Sequence, residues 1–517
     1  MNLLKTLAAI SSMTMISRVT GLLRESLMMT FLGRSIYTDA FLVAFRLPNL
    51  LRRLFAEGAF SQAFVPLLGE YKIKNGEAET KKLVDHTTTF LVWSTLIISV
   101  LGIVSAPLLI IWIMDSKDQT AASYKAAVLM TQMMFPYIVC MSFVALAGGI
   151  LNTWRQFKIP AFTPVLLNLS FIFATLFLTQ WLATPVYALA IGVMVGGLLQ
   201  VAIQIPSLIK IGMLPRVGLN PLRALRDPGV RRILSKMGPA LIGVGAAQIS
   251  LLINTSIAGG LGAGSVTALT LADRLMEFPT AMLGVALGTI LLPGLAKANT
   301  EQDSAEYSAL LDWGLRLTFL LALPAAVGLA VLAEPVMATL FNYGKFTRAD
   351  TIASSLPLMA YSAGLIGIIV VKILTPAFFA RQDFRTPVRI AIGVVIAVQL
   401  MNFPMVYFLG LSGLALSISM GACINAGAMY FLLRKREIFA PKRGWLPFFI
   451  KLAIAVAAMG AVAWFGRGLF VWSGGPEISA LLRGGVLALL VGVCALVYFA
   501  VLFVLGFRIR DFKRSAR

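Results

Sequence analysis

The sequence predicts an all-α polytopic membrane protein with about 14 transmembrane helices. Of its 517 residues, 59% are hydrophobic and 13% are charged, and the mean hydropathy is +0.87. A soluble protein of this length could not bury that much apolar surface. Apolar runs alternate with short basic loops, and several motifs return in the same order in the second half of the chain. These observations fix the class and suggest an internal repeat.

Each predicted span is an apolar segment of roughly 20 residues, the length that crosses a bilayer. We expect the spans that contain proline to bend there. The predicted spans lie near residues 7–32, 38–68, 87–113, 127–153, 160–181, 185–208, 238–259, 265–295, 314–340, 352–379, 387–408, 411–433, 447–470 and 482–506.

The loops that follow even-numbered spans are richer in Lys and Arg than those that follow odd-numbered spans. The loop after span 6 holds seven basic residues between Lys210 and Lys236, and we interpret it as a tether and an orientation signal. The positive-inside rule therefore predicts cytoplasmic termini and an even number of spans. For a membrane protein, the net charge of +22 indicates contact with anionic lipid, and we expect no nucleic acid as a partner.

The repeat predicts two six-helix lobes related by a pseudo-twofold axis along the membrane normal, plus two extra C-terminal helices. Its matched motifs are Arg46-Leu47 with Arg274-Leu275, Pro66 with Pro293, Pro136 with Pro357, and Thr163-Pro164-Val165 with Thr386-Pro387-Val388. The predicted domains are residues 1–208 (first lobe), 209–237 (basic cytoplasmic linker), 238–434 (second lobe) and 435–517 (helices 13 and 14 with a basic tail).

Charged residues interrupt several of the apolar segments. Span 1 contains Arg18 and Arg24, and span 2 contains Arg52, Arg53 and Glu57. An ionisable group at the centre of a membrane helix costs about 2.5–3.5 kcal/mol on insertion scales. One interpretation is that these arginines pair with neighbouring carboxylates, or reach the interface, and serve packing alone. The other is an anion site, since the guanidinium fork suits bidentate contacts with phosphate or pyrophosphate.

No motif indicates catalysis. The sequence lacks a Walker motif, a metal-ligand spacing and a nucleophile beside a base. Cys140, Cys423 and Cys494 lie in apolar runs, and the single histidine, His86, begins a span without metal partners. We therefore predict a protein that is not an enzyme and that uses no cofactor and no metal.

Motifs across the whole chain resemble those of the MurJ (MviN) family. They are MNLLKTLAAISSMTMISRVTGLLRE, TDAFLVAFRLPNLLRRLFAEGAFSQAFVP, ILNTW, ADRLMEFP, GVALGTILLP and RQDFRTPV. The resemblance implies a fourteen-helix flippase of the bacterial cytoplasmic (inner) membrane. Such a protein carries lipid II, the undecaprenyl-pyrophosphate-linked peptidoglycan precursor, from the inner to the outer leaflet. It also implies transient contact with the cell-wall synthesis machinery, and a groove at helices 13 and 14 for the polyprenyl tail.

The resemblance also assigns site residues by matching motif positions. The cavity arginines of the family fall on Arg18, Arg24, Arg52 and Arg274. Its accompanying acidic groups fall on Asp39, Glu57, Asp273 and Glu277. A sodium site is not implied here, since this chain has no carboxylate at the family's ion-binding positions.

Three rival functions stay open at this point. A multidrug cation extruder would share the fold, but its site should be acidic or aromatic and not rich in arginine. A membrane scaffold for cell-wall enzymes would not need charges inside its helices. An enzyme acting on lipid intermediates would need a catalytic constellation.

Overall fold

The computed structural model describes residues 3–52, 59–114, 121–473 and 479–508. Within these ranges the regular structure is helical and no β-strand occurs, as the sequence predicts. The α-helices are α1 (Leu3–Leu32), α2 (Ile36–Arg52), α3 (Ala59–Lys74), α4 (Gly76–Ile113), α5 (Ala121–Met134), α6 (Tyr137–Thr153), α7 (Lys158–Phe173), α8 (Tyr187–Lys210), α9 (Pro221–Leu225), α10 (Pro228–Gly259), α11 (Ser265–Pro279), α12 (Ala286–Thr300), α13 (Ser304–Val331), α14 (Ala333–Phe341), α15 (Arg348–Ser362), α16 (Leu365–Ala380), α17 (Arg385–Lys435), α18 (Trp445–Gly468) and α19 (Ala480–Val504). Two π-helical segments, Ala174–Leu178 and Thr280–Val285, follow α7 and α11.

The chain is a multi-pass membrane protein. Eight described helices are long and apolar enough to cross a membrane, or nine if the bent pair α15 and α16 forms one span. The break between α5 and α6 falls at Phe135 and Pro136, as the proline predicts. The break between α15 and α16 falls at Ala363 and Gly364, beyond the matched Pro357. The number of fourteen spans stays a prediction.

Two predicted spans, 387–408 and 411–433, lie on one helical element. Helix α17 runs for 51 residues, and its path is broken at Gly410, whose φ is 54° and ψ is −133°. A Cβ atom on Gly413 would lie 1.9 Å from the Met405 carbonyl oxygen. The two glycines therefore allow a turn so tight that no loop separates the two spans.

The chain forms two compact units, of which the first comprises Met1–Thr267 with Tyr343–Lys345. Its helices pack closely because small residues lie where backbones approach. A Cβ atom on Gly192 would lie 2.9 Å from the Ala174 Cβ, and one on Gly196 would lie 2.8 Å from the Leu167 Cδ1. Helix α10 belongs to this unit through its contacts with α3 and α4, whereas the sequence assigns its span to the second lobe. The lobe boundaries stay predictions.

The predicted linker lies along α4 in the first unit. The Gly218 amide donates to the Thr89 hydroxyl at 2.8 Å, and the Trp93 indole donates to the Gly218 carbonyl at 3.0 Å. The His86 Nδ1 lies 2.8 Å from an Asp227 carboxylate oxygen. The other oxygen of Asp227 accepts amide hydrogen bonds at the start of α10. The linker is thus fastened to α4 by specific hydrogen bonds.

The second unit comprises Ala268–Asn342 with Phe346–Arg517. One buried cluster joins α12, α13, α16 and α17, and a second joins α18 and α19 to α13. Representative members are Leu291, Leu311, Ile373 and Leu433 in the first, and Leu320, Leu452, Met459 and Tyr498 in the second. The two helices outside the predicted repeat therefore share a core with it.

Polar contacts reinforce the attachment of α18 and α19. Buried Asp312 on α13 accepts hydrogen bonds from the Arg316 Nε and the Trp445 indole, both at 2.8 Å. At the opposite end, Arg467 donates to the Val331 carbonyl at 3.0 Å, where α13 ends. Arg483 donates to the carbonyls of Ala338 and Asn342 at the end of α14. Cations near helix C-termini also interact favourably with the helix dipole.

Helix ends recur in the two units with the same backbone geometry. After α6, Arg155 has φ 60°, and the next amide, of Gln156, bonds to the Leu151 carbonyl. After α16, Gln382 has φ 61°, and the Asp383 amide bonds to the Phe378 carbonyl. The same turn ends α8 at Gly212 and α17 at Glu437. Each is a left-handed cap that satisfies the last carbonyls of its helix.

Candidate functional site

Helix α1 carries the first two arginines of the predicted site. It is continuous for 30 residues, since leucine, methionine and alanine favour helix and no proline interrupts it. Arg18 is half-buried, and within the described part of the chain no group accepts a hydrogen bond from it. A guanidinium with its donors unused is suited to bind an anion.

Arg24 lies further along α1 and is held on several sides. One Nη donates to the Asn168 Oδ1 at 3.1 Å, and the other donates to the Glu25 Oε1 at 2.5 Å. The guanidinium carbon lies 5.0 Å from the ring centroid of Phe171 on α7. The side chain is 12% exposed, and the Nε is buried without a hydrogen-bond partner among the described residues. Arg24 is therefore fixed in orientation and keeps unused donor capacity.

Asp39, near the start of α2, is buried and bonded to the start of α11. Its carboxylate accepts hydrogen bonds from the Gly264 amide at 2.6 Å, the Thr267 amide at 2.8 Å and the Thr267 hydroxyl at 2.5 Å. Arg34 donates through Nε to the Gly264 carbonyl at 2.8 Å. We call these four residues the outer clasp. Backbone amides at a helix start are natural partners of a carboxylate. A role for Asp39 in binding substrate stays a prediction.

The other predicted acidic and basic residues of the described chain lie on α11. Arg274 donates to the Glu277 carboxylate at 3.2 Å, and their side chains are 34% and 45% exposed. Asp273 is exposed. The sequence clusters Asp273, Arg274 and Glu277, and the structure pairs Arg274 with Glu277. A pair this exposed contributes little to stability, about 0–1 kcal/mol.

Two predicted site residues lie wholly or partly outside the described residues. The backbone of Arg52 ends α2, while its side chain is not described. Glu57 lies in the range 53–58, which is also outside the described residues, and Arg53 lies there too. Their place in the site stays a prediction.

The structure adds residues that sequence reasoning missed. Lys372 interrupts the apolar run of α16 and is exposed, and its backbone and stem lie against Gly284 and Gly288. Its charge inside a predicted span was a usable signal. Asn168 was harder to find, because a lone amide in an apolar helix has no spacing that links it to Arg24. Arg46 is part of the predicted repeat motif, but its hydrogen bond to Thr255 of α10 could not be predicted from the sequence.

The comparisons with known proteins identify the family. The sequence model described as lipid II flippase MurJ matches residues 28–483. A protein of Burkholderia cenocepacia named lipid II flippase MurJ is 51% identical over 517 residues, with all of both chains covered. The chain belongs to the MurJ family. A probable lipid II flippase MurJ of Vibrio cholerae is 38% identical, over 99% of this chain and 98% of the relative.

Solved structures confirm the fold of a MurJ protein. A lipid II flippase MurJ in an inward closed conformation matches with a TM-score of 0.80, at 22% identity, over 98% of this chain and 99% of that one. An inward-facing multidrug resistance MATE transporter matches with a TM-score of 0.67, at 15% identity, over 83% and 98% of the two chains. MurJ family members are named flippases, so the prediction of a transporter instead of an enzyme is confirmed.

Proposed function

We propose that this protein is a flippase that moves lipid II from the inner to the outer leaflet of the bacterial cytoplasmic membrane by alternating access. Its relatives in the MurJ family are named for this activity, and the most similar of those described above shares half of its residues over the full length. The proposed substrate carries a pyrophosphate between a polyprenyl tail and a sugar-peptide head. The site must therefore bind an anion within the membrane.

The observation that carries the proposal is the presence of arginines on helices that are otherwise apolar. Arg18 has no hydrogen-bond acceptor within the described chain, and Arg24 keeps unused donors although it is mostly buried. Arg274 is a further arginine on a membrane helix, α11, in the second unit. Guanidinium groups bind phosphate bidentately and stay charged at all physiological pH values. A cation-extruding transporter on the same fold would gain nothing from such groups.

We propose further that the chain has fourteen spans in two six-helix halves around a pseudo-twofold axis along the membrane normal. The recurring left-handed caps after α6 and α16, and after α8 and α17, support this arrangement. Each pair lies at equivalent places in the predicted repeat. Such caps end roughly a third to a half of helices, and the same turn also follows α12 at Gln302 and α19 at Gly506. The caps therefore support the duplication only together with the matched sequence motifs.

We also propose that both termini and the linker are cytoplasmic, and that the linker contacts anionic lipid. Leu219 and Leu222 are 91% and 66% exposed, and the neighbouring Arg223 and Arg226 are exposed as well. Alternating apolar and cationic side chains suit the headgroup layer of a membrane. Transient contact with the cell-wall synthesis machinery is part of the same proposal.

A cavity of about 620 Å³ in the second unit suits the polyprenyl tail. It lies between α13, α16, α17 and α18, and its lining is apolar apart from Lys442 and Arg443. Cavities of this size accommodate ligands of several hundred daltons. The cavity borders α18, one of the two helices that the family resemblance links to the tail. We assign a segment of the tail to this cavity.

Substrate binding by the purified protein tests the proposal. We expect lipid II to bind more tightly than undecaprenyl phosphate, and a cationic drug to bind weakly, since the arginines favour pyrophosphate. Arg24→Ala should weaken lipid II binding, whereas Arg348→Ala, at an exposed arginine that begins α15, should leave it unchanged. Preferential binding of the cationic drug would favour a drug extruder. Equal binding of lipid II by both variants would argue against the arginine site.

A further inference from the structure

We propose that Asn168 of α7 is a positioning residue for Arg24 and that it sets the charge of the substrate site. The inference rests on the proposed function, because it concerns how one arginine of that site is presented to a pyrophosphate. Asn168 lies on a different helix from Arg24, and its side chain bridges the two helices.

The amide of Asn168 is oriented by its partners. Its Oδ1 accepts from Arg24, and its Nδ2 donates to the Ser17 carbonyl at 2.9 Å and to the Thr20 hydroxyl at 3.1 Å. Rotating the amide by 180° would place its NH₂ group against the guanidinium and its oxygen against a carbonyl. The hydrogen-bond network therefore fixes which end of the amide faces Arg24.

Phe171 is the second residue of α7 that contacts the Arg24 guanidinium. It follows Asn168 by three residues, so both side chains lie on the same face of α7, toward α1. Its ring lies 5.0 Å from the Arg24 guanidinium carbon, a distance at which the cation is attracted to the ring. Gly21 of α1 faces the Asn168 amide, and a Cβ atom there would lie at an ordinary contact distance of 3.5 Å from its Nδ2.

The chemistry of the Asn168 side chain matters as much as its position. Glu25 already supplies one negative charge to Arg24 at 2.5 Å. A second carboxylate in place of the amide would make the local charge negative and repel a pyrophosphate. A neutral amide holds the guanidinium without adding charge. Asn168 is 7% exposed, so its effect on the field is screened little by water.

A role in joining the helices and a role in setting the local charge predict opposite rankings of two variants in their affinity for lipid II. Asn168→Asp keeps an acceptor for Arg24 and adds a charge, but it loses the donor that binds the Ser17 carbonyl and the Thr20 hydroxyl. Asn168→Leu removes the hydrogen bonds without adding charge. If Asn168 only joins the helices, the Leu variant should be the more damaging in every assay. If it also sets the charge, the Asp variant should bind lipid II more weakly than the Leu variant.

The experiment measures the Kd of the full-length protein for lipid II, for undecaprenyl pyrophosphate and for uncharged undecaprenol, together with thermal unfolding. We expect Asn168→Leu to weaken binding of both pyrophosphate lipids about tenfold, the effect of losing one hydrogen bond to a charged group. Asn168→Asp should weaken it further, although both variants lose the Nδ2 hydrogen bonds to Ser17 and Thr20 and should unfold below the wild-type temperature. Undecaprenol binding should not change in either variant.

Ser170→Ala is the matched control. Ser170 lies on the same helix and is also 7% exposed, but its hydroxyl donates to the Gly192 carbonyl of α8 at 2.7 Å. It should bind both pyrophosphate lipids like the wild type. A double-mutant cycle adds a second readout: in an Arg24→Lys background, Asn168→Leu should have at most about a twofold further effect, because the two side chains act as a unit.

The outcomes separate this inference from the proposed function. If the wild type does not distinguish pyrophosphate lipids from undecaprenol, the proposed function fails. If the wild type distinguishes them and Asn168→Asp binds as tightly as the wild type, the function stands and the positioning inference is overturned. Additive effects of Asn168→Leu and Arg24→Lys would overturn it as well. If Asn168→Leu does not fold, the Asp variant and its pairing with Arg24→Lys still decide the matter.

Discussion

Replacing Asp39 with Asn should destabilise the protein through the outer clasp. The carboxylate accepts three hydrogen bonds, two at one oxygen from Thr267 and one at the other from the Gly264 amide. An Asn side chain has one acceptor oxygen. In its better orientation it keeps the Thr267 bonds and turns its NH₂ group toward the Gly264 N–H. One charged hydrogen bond is lost, one buried donor is left unsatisfied, and the remaining bonds lose their charge assistance.

The magnitude follows from these losses. An unsatisfied buried donor costs about 1–3 kcal/mol, and bonds to a charged group are roughly twice as strong as neutral ones. The change from Asp to Asn should therefore cost about 2–4 kcal/mol in the free energy of unfolding, offset in part because the buried charge is removed. The loss is large for a single substitution because the Asp39 carboxylate is buried and water does not replace the missing hydrogen bonds.

Thermal unfolding of the purified protein, followed by intrinsic tryptophan fluorescence, measures the effect. Asp350→Asn is the control, since the Asp350 carboxylate also accepts bonds from the amide and hydroxyl of one threonine, Thr347, but at an exposed helix start. We expect a small shift for Asp350→Asn and a large one for Asp39→Asn. Unfolding of the Asp39 variant at the wild-type temperature would refute the reasoning, and would return Asp39 to a role in the substrate site alone.

Three more predictions concern function and pH. Arg18→Ala should abolish flipping in cells that depend on this protein. Arg18→Lys should restore it partly, because an ammonium keeps the charge but lacks the forked geometry of the guanidinium. Full growth of cells that express Arg18→Ala at the normal level would contradict this prediction. Burial raises the pKa of Asp383, but hydrogen bonds from Thr386 and Arg436 outweigh it and lower the pKa to about 2 from 3.8. Asp383→Asn should then lower the free energy of unfolding at pH 7, and the difference in that free energy from wild type should shrink as the pH falls from 3.8 through 2. A difference that does not change with pH would count against these hydrogen bonds. Collapse of the membrane potential at constant pH gradient should slow lipid II export, since moving each charge through 100 mV is worth about 2.3 kcal/mol; an unchanged rate would exclude the potential as the driving force.

The helical class could be predicted from composition because apolar runs of membrane length have few other solutions. The turn at Gly410 in α17 could not be predicted in the same way. Hydropathy located both spans but could not show that a turn of a few residues joins them, since that turn depends on a backbone conformation specific to glycine. The contacts of α10 with α3 and α4 also could not be predicted from the sequence, because they depend on tertiary packing.

The site could be predicted in part from charge. Arg18 and Arg24 were found because an arginine inside an apolar helix is rare enough to be informative. The partners of Arg24 on α7 were not found, because Asn168 and Phe171 are neutral residues 144 or more positions from Arg24 in the chain. The partner of Asp39 was missed for another reason. Its main contacts are backbone amides at Gly264 and Thr267, and no side-chain pattern in the sequence encodes a backbone donor.

The cavity between α13, α16, α17 and α18 has a consequence for how a long lipid is kept during transport. All of its lining residues belong to one compact unit, and the helix that closes it is fastened there through Asp312 and Trp445. Its shape therefore does not depend on any rearrangement between units. A lipid tail bound in the cavity remains attached to the protein while the head group crosses the membrane. If the tail binds there as proposed, the rest of the protein has to bind and release only the head, and after an incomplete cycle the same molecule can return to the site.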